Sequence, residues 1–174
     1  MLKKIFILIV LLSTFFFSLS FLKIEKERAL PVKINITKKE KKETIGKIII
    51  KKINLVQNLY QINHSKNNVE ENVTILDPSI FPDQKNSIVF LAAHSGDAKN
   101  SYFERLDELE INDEIVLQYN HNYYYYFVKE IYEEKKNGYI NVNKDIKNQV
   151  ILTTCSPKKE GYQLIINSIE KESI

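Results

Sequence analysis

NQVILTTCSPKKEGYQLII, residues 148 to 166, holds the only cysteine of the chain between two runs that alternate like β-strands. The first run closes at Cys155 just before a Ser-Pro turn, so the thiol stands at a strand end. Working outward, the same kind of run recurs. IGKIIIKK and INLVQNLYQI lie upstream, followed by NSIVFLAA, DEIVLQYN and YYYYFVKEIY, with turn signals between them. Together these make about seven strands in roughly 130 residues, a number that favours a closed barrel or sandwich. The NHN at 120–122 joins two of the runs as a hairpin turn in which asparagine tolerates positive φ. Only SYFERLDEL looks helical: Ser101 and Glu104 are spaced as a capping box, and Phe103, Leu106 and Leu109 recur on one face. The expected fold of residues 45–174 is all-β, a closed barrel of about seven to eight strands with one or two short helices.

Composition bounds the rest. A chain of 174 residues, 44% hydrophobic, with 10 tyrosines and 9 phenylalanines, buries one ordinary core, so one folded domain is expected. Residues 1–44 carry 10 basic and 4 acidic side chains, which leaves 15 basic and 18 acidic for residues 45–174. The domain is therefore mildly acidic, and a nucleic-acid partner, which needs a clustered basic face, is not expected.

Lys3 and Lys4 precede IFILIVLLSTFFFSLSFL, residues 5–22, 18 positions without a charge. Such a run matches one helix crossing a hydrocarbon core of ~30 Å. Residues 1–22 are expected to form an uncleaved signal anchor, although the Ser18 and Ser20 pair leaves cleavage by a signal peptidase open. Residues 23–44, with a proline and many charges, are expected to be a solvated stalk. Basic residues flank the span on both sides, so the charge count alone does not orient it. The expected location is the cell membrane, single-pass, with the C-terminal domain outside, because large domains translocate largely regardless of charge.

Outside the cell a single cysteine, which has no internal disulfide partner, is either an intermolecular partner or a reactive group. Of the three histidines, His64 lies in the polar INHSKNN and His121 in the hairpin turn. His94, in VFLAAHSGD, closes an apolar strand before a Ser-Gly turn, as Cys155 does. Two strands ending in this way bring a thiol and an imidazole to one barrel rim, the pair that nucleophilic catalysis by cysteine needs. Glu130, Glu133 and Glu134 are close in sequence, but strands commonly carry such charges on a wet face, and neither a metal nor a cofactor is expected.

Four blocks, in this order and spacing, resemble the sortases, cysteine transpeptidases of Gram-positive bacteria. IGKIIIKKINLVQNLYQ is similar to the family's first two strands, VFLAAHSG to its strand ending in histidine, YFERLDELEINDEI to its helix-and-turn segment, and VILTTCS to its T-L-x-T-C nucleophile motif. The resemblance covers roughly residues 45–172 and implies a sortase-type barrel with Cys155 as nucleophile and His94 as general acid and base. It implies cleavage of an LPxTG-like sorting signal at threonine and transfer to an amine of a cell-wall precursor or a pilin lysine. The family's third catalytic residue is an arginine on the last strand, and here Gln163 holds that place, keeping two neutral N–H donors without the charge. Gln163 is expected to point into the groove with its amide free to donate to an oxyanion, while Lys158 and Lys159 are expected to lie on a solvated loop and are only the next candidates for the missing charge. A groove for Leu-Pro is expected between the strand before Cys155 and the loop at about 131–148. A barrel that binds sorting signals with weak or no turnover, and an extracellular cysteine hydrolase, remain open beside the transpeptidase.

Overall fold

The computed structural model describes residues 44–171 apart from Lys144. Eight strands follow one another: β1 (Thr44–Ile50), β2 (Leu55–Tyr60), β3 (Thr74–Ile75), β4 (Ile88–Ala92), β5 (Glu114–Tyr119), β6 (Asn122–Lys135), β7 (Gln149–Cys155) and β8 (Tyr162–Glu170). They form one sheet in the order β2-β1-β5-β6-β8-β7-β4-β3, curled so that β2 and β3 approach each other and the barrel almost closes. Every neighbouring pair is antiparallel except β4 with β7. The backbone of β3 at Ile75 is satisfied by the Asn67 side chain, which accepts from Ile75 N at 2.8 Å and donates to Ile75 O at 3.0 Å. An edge that would otherwise offer unpaired groups is thereby capped.

All seven runs singled out in the sequence are strands. The eighth, β3, has two residues, too few for alternation to register. Alternate residues of the strands meet inside the barrel: Ile48 and Ile50, Val89 and Leu91, Ile115 and Leu117, Val150 and Leu152, Leu164 and Ile166 belong to one buried cluster. Burying each such side chain contributes about 1.5–3 kcal/mol, so every long strand except β6 adds a pair of aliphatic anchors. Its own share is Val128 and Tyr126, whose phenol burial pushes far up.

The opposite faces of β7 and β8 are buried too, since Ile151, Thr153, Ile165 and Asn167 are nearly inaccessible although they point away from that cluster. Residues after β6 are tied to the sheet on this side. Tyr132 Oη donates to Asn141 O at 2.5 Å, and Gln149 Nε2 donates to Asn143 O and Ile146 O. Burial pushes the Tyr132 phenol up to about 12, which keeps its proton available for that bond at neutral pH.

Two local expectations turn out differently. SYFERLDEL forms turns and a single 3₁₀ turn at Leu106–Glu108, and the capping box does not form, because the buried Ser101 Oγ has no partner. Phe103, Leu106 and Leu109 are buried as their pattern implied, but a spacing of three suits the 3.0-residue turn better than an α-helix. The barrel is nearly closed rather than closed, and Lys51–Ile53, read as part of the strand runs on either side, forms a further 3₁₀ turn. The hairpin is as read: Asn120 and His121 take φ of 47° and 68°, a two-residue turn between Tyr119 and Asn122.

The apolar run 5–22 and the charged stretch that follows it to residue 43 lie outside the described residues. Among the described residues no helix is long and apolar enough to cross a membrane.

Candidate active site

β4 and β7 run parallel with Ala92 opposite Thr153, and one further step along each strand brings Ala93 and Thr154 level. The Thr154 hydroxyl donates to Ala93 O at 2.8 Å and the Ser95 hydroxyl to Cys155 O at 2.9 Å. The small polar residues of AAHS and TTCS thus tie the two strand ends together, and His94 and Cys155 both line the groove that opens there. His94 Nε2 lies 3.0 Å from Glu70 Oε1 on the β2–β3 connection. That connection is held by the Asn100 amide on Glu70 O at 2.7 Å and by the Tyr102 hydroxyl on Glu71 O at 3.1 Å.

Cys155 is exposed, and its sulfur accepts a hydrogen bond from Lys136 Nζ at 2.8 Å. Lys136 follows directly on β6, where its backbone N–H donates to Gly161 O at 2.9 Å and extends the pairing with β8. Sequence reading missed this residue. In EEKKNG it looks like one member of a solvated charge run, and only the β6-β8-β7 order carries it to the thiol.

Gln163 is the Cα partner of Cys155 on one side and of Glu134 on the other. Its amide is not free. Nε2 donates to Glu134 Oε1 at 3.0 Å and to Tyr139 O at 2.9 Å, which corrects the expectation of an available donor. A carboxylate within reach draws an amide because such charge-assisted bonds are roughly twice as strong as neutral ones. Glu134 also accepts from Asn141 Nδ2 at 2.8 Å, so the two side chains together peg the covering segment to the sheet. Neither lysine of the following loop is seen to substitute: Lys159 Nζ lies 3.5 Å from the centroid of the Tyr162 ring and lowers that phenol's pKa, and no contact ties Lys158 to the thiol.

The acidic side chains are likewise engaged, since Ser156 Oγ donates to Glu133 at 2.5 Å and Asn167 Nδ2 to Glu130 at 3.1 Å. No group of three potential metal ligands occurs among the described residues. His64 stacks on Tyr60 with centroids 4.9 Å apart and accepts from Lys66 N, and His121 stays in the β5–β6 turn. Neither lines the groove that holds His94, Cys155, Lys136 and Gln163. That groove has a volume of about 300 Å³, with Val69, Leu76, Ala92, Ala93 and Ile140 as its apolar walls and Thr153 and Tyr139 beside the reactive groups. It lies where it was expected, between the end of β7 and the segment after β6.

Residues 48–168 match the sortase domain. The chain belongs to the sortase family. No curated protein sequence matches it. Among solved structures, sortase C1 of Streptococcus agalactiae is 23% identical with a TM-score of 0.66, over 78% of this chain and 71% of that one. Sortase C of Streptococcus pneumoniae is 21% identical, also at 0.66, over 76% and 68%. Sortase A of Corynebacterium diphtheriae is 19% identical at 0.63, over 75% and 62%. These likenesses confirm the sortase-type barrel. Sortases are cysteine transpeptidases, and this one carries a cysteine in its groove.

Proposed function

We propose that this sortase is a membrane-anchored transpeptidase that cuts an LPxTG-like sorting signal after threonine and passes the acyl group to an amine. One observation carries the reading: Cys155 and His94 close adjacent parallel strands and line one apolar groove. In this mechanism the Cys155 thiolate forms a bond to the threonine carbonyl carbon while the π pair moves to oxygen. Collapse of that intermediate expels the glycine amine, which takes a proton from His94 and leaves a thioester. An incoming amine, from a cell-wall precursor or a pilin lysine, then attacks the thioester, gives its proton to His94 and releases the thiolate. Val69, Leu76 and Ile140 suit the leucine and proline of the signal. The uncharged run 5–22 supports a single-pass anchor with the barrel outside the cell.

A second reading, a barrel that binds sorting signals with little turnover, is favoured by the Gln163 amide being fully engaged. A fluorogenic LPxTG-type peptide, supplied with and without an amine, distinguishes the two. Exchange that depends on the amine is expected. Cleavage indifferent to amine would make the protein a hydrolase, and binding without cleavage would leave it a receptor.

A further inference from the structure

The tetrahedral intermediate of such a reaction puts a full negative charge on an oxygen, and among the described residues no arginine lines the groove to meet it. Gln163 gives its amide hydrogens to Glu134 and Tyr139, and Lys159 lies against Tyr162. Among the described residues one cation reaches the reacting atom. Lys136 Nζ is 2.8 Å from Cys155 Sγ, on a backbone held by Gly161 O and at the start of a turn fixed by the Asn137 side chain on Tyr139 N at 3.0 Å.

We propose that Lys136 is the catalytic cation of this enzyme, countering the charge first on the Cys155 sulfur and then on the oxyanion. The assignment rests on the transpeptidase reading above. Its geometry follows from the bond that forms. Once sulfur is bonded to the carbonyl carbon, the oxyanion is a next-but-one neighbour of sulfur, so an ammonium touching the sulfur reaches the oxygen by a small rotation of its stem. A lysine suits this because it offers three rotatable donors on one point charge, where an arginine fork would need a fixed approach. The charge moves from sulfur to oxygen during attack and back on collapse, and the cation stays in contact throughout. Lys136 takes no proton in this scheme, since His94 serves both the leaving and the entering amine.

Two measurements on Lys136→Gln and Lys136→Arg test the assignment. In peptide transfer, Lys136→Gln is expected to lower kcat about 10²- to 10³-fold with KM within about threefold of wild type, the loss typical of one oxyanion donor. Lys136→Arg is expected to keep activity within about tenfold. The second readout is independent of turnover. Iodoacetate and iodoacetamide alkylate the same thiolate, so the ratio of their rates cancels the fraction ionised and reports the charge beside the sulfur. That ratio is expected to fall several-fold in Lys136→Gln and to return in Lys136→Arg. Wild-type kcat in Lys136→Gln, or an unchanged reagent ratio, overturns the assignment. A wild-type chain that turns over no peptide sinks the transpeptidase reading instead, while the reagent ratio still decides whether Lys136 sets the field at the thiol.

Discussion

Gln163 stands directly across from Cys155 in the antiparallel register of β8 on β7, yet it gives its amide to Glu134 and Tyr139 rather than to the groove. Facing the site and serving it are separate matters. With Glu134, this glutamine fastens the segment that roofs the groove. Gln163→Ala is therefore expected to raise KM about tenfold with a smaller effect on kcat, because the wall that receives the peptide loosens. A loss confined to kcat would return the residue to the oxyanion.

Cys155→Ala is expected to abolish acyl transfer and to change stability by less than about 0.5 kcal/mol, since the side chain is exposed at a strand end. Urea unfolding of both forms checks this. A large drop in midpoint would show the sulfur to be part of the core.

Glu70 holds His94 Nε2 from an exposed side chain, so it positions the ring without enclosing it. Exposed pairs of this kind are worth little, roughly 0–1 kcal/mol. Glu70→Gln is expected to lower kcat less than tenfold, whereas His94→Ala lowers it by about 10²- to 10⁴-fold, the range of general acid–base catalysis. Equal losses in the two variants would mean that the carboxylate takes part in proton transfer itself.

Lys52 bridges Glu110 at 2.6 Å and Asp113 at 2.8 Å beside the β5 entrance. Partial burial pushes the Asp113 carboxyl up, but the Lys52 ammonium and the Glu110 N–H outweigh it and hold the group below its ordinary value, while both carboxylates raise Lys52. A depressed carboxyl stabilises the fold above its unfolded value near ~3.9 and loses that contribution as pH falls through the folded one. A raised ammonium keeps its contribution below about pH 10 and loses it above. Stability is expected to be level between these limits and to fall below about pH 4. Asp113→Asn should flatten the acid limb in urea titrations, and an unchanged limb would place the acid sensitivity elsewhere.

Gly46 lies at the bulge where β1 shifts register on β2, and a Cβ there would sit 2.0 Å from Gln118 O on β5. Backbone cannot yield as a flexible side chain would. Gly46→Ala is expected to cost about 2–4 kcal/mol, at or above the upper end of what single substitutions usually cost, and a thermal shift under 3 °C would show that the strands simply part.

The strand runs were legible because eight or so residues of alternating character leave little choice of partner face. The shared place of His94 and Cys155 at one groove was legible because each closes such a run, a feature of the chain itself. Lys136 was not, because its neighbour in space is supplied by β8 folding between β6 and β7. The fate of Gln163 was half legible: its register followed from alternation, but the competing carboxylate of Glu134 sits on another strand, 29 residues away. The short helix failed for a different reason, since three apolar residues at a spacing of three satisfy either kind of turn.

The pairing of β4 with β7 is the one parallel contact among the described residues, and its rim bonds span 60 and 61 residues of chain. No local hairpin nucleates it. The loop between the two must close before the pair gains anything, and β5 and β6 lie within that loop, so the entropy of closure falls only once their hairpin has formed. Assembly of the rim is consequently expected late in folding, so that the thiol would meet its histidine only when β4 docks on β7.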